Sequence, residues 1–131
     1  MTGFASPTFS KRERIVSRKL IEKLFSKGSS QSTSAFPLKA VYMKEEHPES
    51  EEPVQILISV SKRHFKHAVK RNRVKRQIRE SYRHHKQILT ECIPQGQSLY
   101  VAFIWLSDEI YGSPQVERSV RKLLEKVAES V

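Results

Sequence analysis

The chain has few of the residues that cross-link proteins or bind metals. Its 131 residues include one cysteine, Cys92, and one aspartate, Asp108. A single cysteine excludes an internal disulfide and a zinc site built from cysteine pairs, and it is typical of proteins in a reducing cytosol. A Mg²⁺ site that supports hydrolysis needs several converging carboxylates, whereas the glutamates here are scattered or gathered in one loop. We therefore expect neither a disulfide scaffold nor a metal site in the protein itself.

Long hydrophobic runs are missing as well. No segment approaches the roughly 20 apolar residues of a membrane span, and the first seven residues lack the apolar core of a signal peptide. A hydrophobic content of 37%, with six Phe, four Tyr and one Trp, is sufficient for one buried core. We expect a flexible tail at residues 1–10 and a single domain at 11–131, with a cytoplasmic location, no membrane contact and no obligate protein partner.

Negative charge is almost absent from one segment. Residues 62–86 hold eleven of the 24 Lys and Arg residues but only one of the 14 acids, Glu80, which gives this segment a net charge of +10. The rest of the chain has 13 residues of each sign and is neutral. Such a concentrated positive charge predicts a polyanionic partner, with nucleic acid as the leading candidate. A membrane surface fits less well, because the segment lacks the Trp or Leu border of an interfacial helix.

The hydrophobic pattern predicts an α+β fold in the order α-β-β-α-β-α. Three segments have apolar residues at helical spacing and three have strand patterns. A strand, a long helix and a further strand indicate a βαβ unit beside an antiparallel hairpin, so we expect a two-layer α-β sandwich with a mixed sheet. The predicted helices are residues 11–27, 65–88 and the segment that starts at 113, and the predicted strands are 36–43, 54–60 and 99–106.

The segments between these elements have recognisable turn chemistry. Gly28 is placed to end the first helix, and residues 29–34 are predicted to be a polar loop. Residues 45–52, with five glutamates, indicate an exposed hairpin connection rather than a metal-collecting patch. Ser113 is the predicted N-cap of the last helix, which has a one-sided apolar stripe, and Pro114 takes the first helical position. The apolar run of the third predicted strand is typical of a central strand covered on both faces.

The basic segment is predicted to be a helix with two different sides. At about 100° per residue, Val74, Ile78 and Tyr82 fall on one arc and face the core. The opposite arc holds Asn72, Arg76, Arg79 and Arg83, with Arg73 and Lys75 at its edges. A guanidinium fork matches phosphate oxygens, and an asparagine offers both a donor and an acceptor to a base or a sugar. A face that serves only solubility would more often mix Glu with Lys.

The remaining chemistry-bearing residues give weaker signals. Glu80 follows Arg76 by four residues and is expected to pair with it. His84 and His85 are adjacent, so we expect their side chains to diverge on the helix. His64 and His67 are compatible with acid–base cleavage of RNA, but phosphate contact or simple exposure explains them equally well. Cys92 is expected to be a small core residue. We assign no catalytic residue and do not expect the protein alone to cleave RNA.

One continuous run is far more specific than composition. Residues 68–80 read Ala-Val-Lys-Arg-Asn-Arg-Val-Lys-Arg-Gln-Ile-Arg-Glu, and Ser-Val-Ser-Lys-Arg precedes them at 59–63. This run, with its Arg-Asn-Arg motif followed by a hydrophobic residue, Lys, Arg and a further Arg, resembles the bacterial ribonuclease P protein subunit. Residues 12–15 and 24–28 also resemble that family's N-terminal segment. A general RNA-binding module, similar to a ribosomal protein, and an autonomous nuclease are the alternative functions.

The resemblance implies a function in tRNA maturation. Members of this family assist a catalytic RNA that removes the 5′ leader of precursor tRNA, and that RNA holds the Mg²⁺ ions and performs the endonucleolytic hydrolysis. The implied partners are therefore the catalytic RNA subunit and precursor tRNA, within a ribonucleoprotein. The family also implies a left-handed βαβ crossover, against the general rule. The residues expected to contact RNA are Arg71, Asn72, Arg73, Lys75, Arg76, Arg79 and Arg83.

The family also implies a second surface, a cleft on the sheet that receives the single-stranded leader. The residues expected to line or border it are Ile21, Phe25, Tyr42, Ser59, Ser61, Lys62 and Arg63. Phe25 and Tyr42 would stack on leader bases, because every base offers a π-face; for Phe25 a place in the core is an equal alternative. The chain departs from the family pattern at Ile21, where an aromatic residue is common, and at Phe65-Lys66, where many relatives have a glycine.

Overall fold

A computed structural model describes residues 13–15, 17–26, 28, 30–46 and 52–131. The predicted tail at 1–10 and the middle of the acidic loop, residues 47–51, lie outside this part of the chain. The described elements are helices α1 (Arg18–Phe25), α2 (Ala68–His85), α3 (Gln87–Thr90) and α4 (Ser113–Ser130), and strands β1 (Gln31–Ala35), β2 (Leu38–Glu45), β3 (Val54–Ser59) and β4 (Ser98–Trp105).

The strands form one mixed sheet in the order β1-β2-β4-β3. β4 pairs parallel with β3 and antiparallel with β2. The predicted α+β class, mixed sheet and βαβ unit are therefore confirmed. The predicted hairpin between strands 36–43 and 54–60, which correspond to β2 and β3, is wrong, because β4 lies between them and β2 pairs with β1 instead. The most apolar strand takes the central position, where both of its faces are covered.

The segment predicted to be a polar loop at 29–34 contributes an edge strand. Residues Gln31–Ala35 pair with β2 in antiparallel register, with Gln31 opposite Tyr42 and Ala35 opposite Leu38. Most of the β1 side chains are exposed, as suits an edge strand with one open side. Its serines give no strand signal, so the pairing with β2 decides its conformation.

Helices cover both faces of the sheet. α2, α3 and α4 lie on one face and form the helix-side core with alternate residues of the strands. α1 lies on the opposite face and forms the smaller α1-side core with the intervening residues. The helix-side core includes Leu38, Ala40, Tyr42, Ile56, Val101 and Phe103 from the sheet. The α1-side core consists of Ile15, Leu24, Val41, Met43, Tyr100 and Ala102, with Ile21, Leu57 and Ile104 at its margin.

The ends of the helices differ from the predicted boundaries. α1 is shorter than predicted and begins after Ser17, whose Oγ accepts a hydrogen bond from the backbone N–H of Leu20 (3.4 Å). Gly28 adopts a positive φ of 97° beyond its end. The predicted N-cap Ser113 is wrong. Gly112, where the backbone is still extended, takes the N-cap position, and Ser113 is the first residue of α4.

The basic helix is also shorter than predicted at its start. Residues 61–67 form turns, in which the carbonyl of Ser61 accepts hydrogen bonds from the backbone N–H groups of His64 (3.1 Å) and Phe65 (3.3 Å). Phe65 is buried in the helix-side core and anchors this turn beneath α2. The helical stripe predicted for α4 is confirmed: Val116, Val120, Leu123, Leu124 and Val127 are all fully buried.

Two valines of α2 test the packing of this helix directly. Val74 is 0% exposed, whereas Val69 is 80% exposed. We expect Val74→Ala to lower the free energy of unfolding by roughly 2 kcal/mol through lost burial and a residual cavity. Val69→Ala should change it by less than about 0.5 kcal/mol. Both changes replace valine with alanine within α2, so the difference between them, measured by urea unfolding, reports mainly the burial of Val74. Equal effects would contradict the observed orientation of α2.

Candidate nucleic-acid interface

The two predicted sides of α2 are confirmed. Val74, Ile78 and Tyr82 are fully buried, and Gln77 and Ser81 complete the inward face. Burial raises the pKa of the Tyr82 phenol, with smaller contributions from the charges of nearby Glu13 and Glu52. The outward side carries the exposed residues Asn72, Arg73, Arg76 and Arg79, with Lys75 half-buried at its edge.

Contacts with α4 and its approach loop fix how α2 is rotated. The Gln77 side-chain amide donates hydrogen bonds to the backbone carbonyl of Tyr111 (2.9 Å) and to Ser113 Oγ (3.3 Å). This amide lies on the inward face beside the apolar contacts. A buried amide that loses such partners costs about 1 to 3 kcal/mol. The bonds therefore hold the helix at one rotation, which directs the arginines outward.

Among the described residues, the outward cations of α2 have no direct side-chain partner. Within the described part of the chain, the side chains of Asn72, Arg73, Lys75, Arg76 and Arg79 form no hydrogen bond or ion pair. Their donors therefore remain open to an external acceptor. These five residues form the outward face of α2. Each guanidinium group offers a planar fork of donors that matches two phosphate oxygens.

Two of the predicted RNA-contacting arginines have internal partners. Arg71 Nη1 donates to the carbonyl oxygens of Phe65 (2.9 Å) and Lys66 (3.0 Å), so this side chain braces the turn before α2. Arg83 pairs with Glu80 and contacts His84 Nε2 (3.2 Å). The hydrogen bond from Arg83, aided by its charge, lowers the pKa of Glu80. The predicted pairing of Glu80 with Arg76 is thus wrong, because Arg83, three residues on, takes that carboxylate.

A groove runs between α2 and the edge of the sheet. It has a volume of about 360 Å³ and is lined by Asn72, Lys75 and Arg79 from α2, by β3 and by Arg14. Arg14 is held there because residues 14 and 56 form a parallel bridge, in which the Ile15 N–H donates to the Ile56 carbonyl (2.9 Å). Arg14 was not predicted as a site residue. The resemblance of residues 12–15 to a known N-terminal segment gives Arg14 no role, and only this pairing with β3 brings it beside α2.

The predicted leader cleft is assembled only in part, on the α1-covered face of the sheet. Ile21 is half-buried at the margin of the α1-side core, and Phe25 is 47% exposed, so Phe25 is not a core residue. Ser59 shares this face by strand alternation, because Leu57 faces the α1-side core and Ile58 the helix-side core. The exposed residues Ser61, Lys62 and Arg63 follow directly, and the Arg63 N–H donates to Ser61 Oγ (3.0 Å).

Tyr42 does not belong to this cleft. It is 5% exposed, packs in the helix-side core and donates its hydroxyl to Gln31 Oε1 (3.2 Å). Its neighbours Val41 and Met43 face α1 instead. Tyr42 and Phe25 therefore lie on opposite faces of the sheet. The structure therefore corrects the prediction that Tyr42 stacks on a leader base, because its buried ring offers no free π-face.

The histidines and the cysteine also differ from expectation. His84 Nδ1 and His85 Nε2 lie 3.1 and 3.3 Å from the same atom, Glu117 Oε1 of α4. The prediction that these two side chains diverge is therefore wrong. His64 Nδ1 lies 2.7 Å from Asp108 Oδ1. Cys92 is exposed rather than in the core, and its thiol donates to the Ile88 carbonyl (3.1 Å).

The described residues provide neither a metal-binding cluster nor a membrane-spanning helix. No group of three or more His, Cys, Asp or Glu residues there could hold a metal ion. No helix in that part of the chain has the length and apolar character needed to cross a membrane.

Comparison with known proteins points to one family. A family model described as Ribonuclease P matches residues 9–128. The ribonuclease P protein component of Porphyromonas gingivalis is 38% identical over 134 residues, which cover all of this chain and 94% of that protein. Both matches include the outward face of α2 and the residues of the proposed cleft.

Solved structures share the fold. The ribonuclease P protein from Thermotoga maritima superposes with a TM-score of 0.65 at 21% identity, covering 87% of this chain and 96% of that one. The Staphylococcus aureus protein gives 0.61 at 23% identity and covers 92% of both chains. At this identity the likeness establishes the architecture alone. Taken with the family match over nearly the whole length and the 38% identical relative, it shows that the chain belongs to the ribonuclease P protein family.

Proposed function

We propose that this chain is the protein component of a ribonuclease P that removes the 5′ leader from precursor tRNA. In this proposal the outward face of α2 binds the catalytic RNA, and the α1-covered face of the sheet receives the leader. Membership of the family supports this role over a general RNA-binding module. The observation that carries it is the set of unpaired cations and one amide aligned on a helix whose other side is buried.

The outward face of α2 suits a folded RNA backbone. From Asn72 to Arg79 the helix advances roughly 10 Å, which is enough to reach more than one phosphate. Arg14 extends the positive charge from α2 across the groove to the edge of the sheet. Asn72 adds a neutral donor and acceptor suited to a sugar hydroxyl or a base edge. Such a face binds mainly through phosphate contacts, so its affinity should depend strongly on salt.

The leader-binding part of the proposal rests on Phe25 and the turn that follows β3. Phe25 presents an exposed ring beside the half-buried Ile21, and base stacking on such a ring does not depend on sequence. Lys62 and Arg63 supply charges for the leader phosphates, next to the start of α2. A strand entering this face would thus pass close to the RNA bound by α2. In this proposal the Mg²⁺ chemistry belongs to the RNA, and the protein positions substrate.

The first experiment measures phosphate contacts made by Arg76 and Arg79. We expect Arg76→Ala and Arg79→Ala each to weaken binding of the catalytic RNA and to reduce the slope of log affinity against log salt by about one. Lys44→Ala is the matched control, because it removes an exposed cation from β2, away from α2. The control should keep the wild-type slope. Unchanged slopes for both arginine variants would show that these side chains do not contact RNA.

Reconstitution tests the function itself. We expect the protein alone to leave precursor tRNA intact, and to allow its cognate catalytic RNA to process precursor tRNA at Mg²⁺ concentrations where the RNA alone is slow. Cleavage is followed on a 5′-labelled precursor at several Mg²⁺ concentrations. Processing rates that are the same with and without the protein, at every Mg²⁺ concentration, would reject the proposed role.

The leader surface has its own test. The assembled complex should bind precursor tRNA more tightly than mature tRNA, and Phe25→Leu should reduce that preference by up to about tenfold through loss of one stacked base. Binding of mature tRNA serves as the control and should stay unchanged. If wild-type complex bound both tRNAs equally, the α1-covered face would not be the leader site, while the role of α2 would stand.

A further inference from the structure

A second positively charged surface lies on the outer side of α4. This side carries five exposed residues that lie opposite the buried apolar stripe of the helix: Gln115, Arg118, Arg121, Lys122 and Glu125. Three of the five are cations and one is an acid. Within the described residues, Arg118, Arg121 and Lys122 form no side-chain hydrogen bond or ion pair. Their charge is therefore open to a ligand.

An exposed aromatic ring completes this surface. Phe36 lies in the turn between β1 and β2 and is 65% exposed, more than Phe25. Its position is fixed from several sides. The Phe36 carbonyl accepts a hydrogen bond from Ser119 Oγ (3.1 Å), and the Pro37 carbonyl accepts one from the Leu106 N–H (2.8 Å). The Phe36 ring packs edge-on against Tyr111, with 6.1 Å between the ring centroids. A ring held this way loses little conformational entropy when a ligand stacks on it.

Phe36 and the three cations line the same groove. The groove has a volume of about 560 Å³ and is formed by Ala35 and Phe36 on one side and by the outer face of α4 on the other. A flat apolar ring beside a row of fixed cations is the combination that binds an unpaired nucleotide strand, through base stacking and phosphate contacts. An acidic protein segment would use the cations but would leave the ring exposed.

We propose that this groove binds single-stranded RNA, with a base stacked on Phe36 and phosphates held by Arg118, Arg121 and Lys122. The site is separate from the outward face of α2. α4 packs against β1 and β2, whereas α2 packs against β3, so the two surfaces lie towards opposite edges of the sheet. The proposal goes beyond the function given above, because it adds a third RNA contact that needs neither the leader cleft nor α2.

The test uses the full-length protein with Arg76→Ala and Arg79→Ala, so that binding at α2 is weakened. Phe36→Trp is introduced as a fluorescent reporter in this background. The protein without the Phe36 change measures the signal of the buried Trp105. Octauridylate is titrated at low salt. We expect octauridylate to quench the new tryptophan saturably. Changing Arg118, Arg121 and Lys122 to Gln should weaken the affinity for octauridylate by roughly tenfold or more.

The outcomes separate the possible ligands. Phe36→Leu, measured by a binding assay with labelled octauridylate, should lower affinity by roughly five- to tenfold while thermal unfolding shows the protein still folded. Absence of quenching, or unchanged affinity in the triple Gln variant, would overturn the proposal. Polyglutamate that bound as tightly as the oligonucleotide would instead assign the groove to acidic protein segments. None of these results bears on the binding of the catalytic RNA by α2.

Discussion

The burial of one side of α2 determines where the charge of this protein is presented. Val74, Ile78 and Tyr82 fill the helix-side core, and no other rotation of α2 would bury them. A rotation by half a turn would place Arg76 and Arg79 against the sheet, where each unpaired charge would cost several kcal/mol. The apolar contacts therefore orient the arginines, although they lie on the other side of the helix. The direction of the outward face is therefore set by the buried side of the helix, including the Gln77 hydrogen bonds.

Periodic features were predictable from the sequence because they are local. The two sides of α2, the stripe of α4 and the central position of β4 each follow from spacing or from an unbroken apolar run. β1 was not predictable, since its serines favour a loop and it becomes a strand only by pairing with β2. The neighbours of β4 were missed for a similar reason: adjacency along the chain suggested a hairpin between β2 and β3, whereas the sheet places β4 between them.

The candidate site shows the same division between local and long-range information. Strand alternation puts Leu38, Ala40 and Tyr42 on one side of β2, but it does not indicate which side the helices cover. The family resemblance suggested an open cleft for Tyr42, which lies in the helix-side core instead. The basic run likewise gives no way to distinguish Arg71, which braces the turn before α2, from Arg73, which is open. Arg14 reaches the site through a pairing between residues far apart in the sequence.

The two cationic surfaces differ in chemistry as well as in position. The outward face of α2 combines arginine forks with an amide and has no aromatic ring, which suits the phosphates and sugars of a folded RNA. The groove beside α4 includes Phe36 and therefore suits a strand whose bases are unpaired. The two surfaces lie towards opposite edges of the sheet, on neighbouring helices, so the proposed RNA contacts would not compete with each other. A single contact through one helix face would leave the protein free to rotate about the axis of that helix. Contacts at both surfaces would remove this freedom and fix the orientation of the protein on a large RNA.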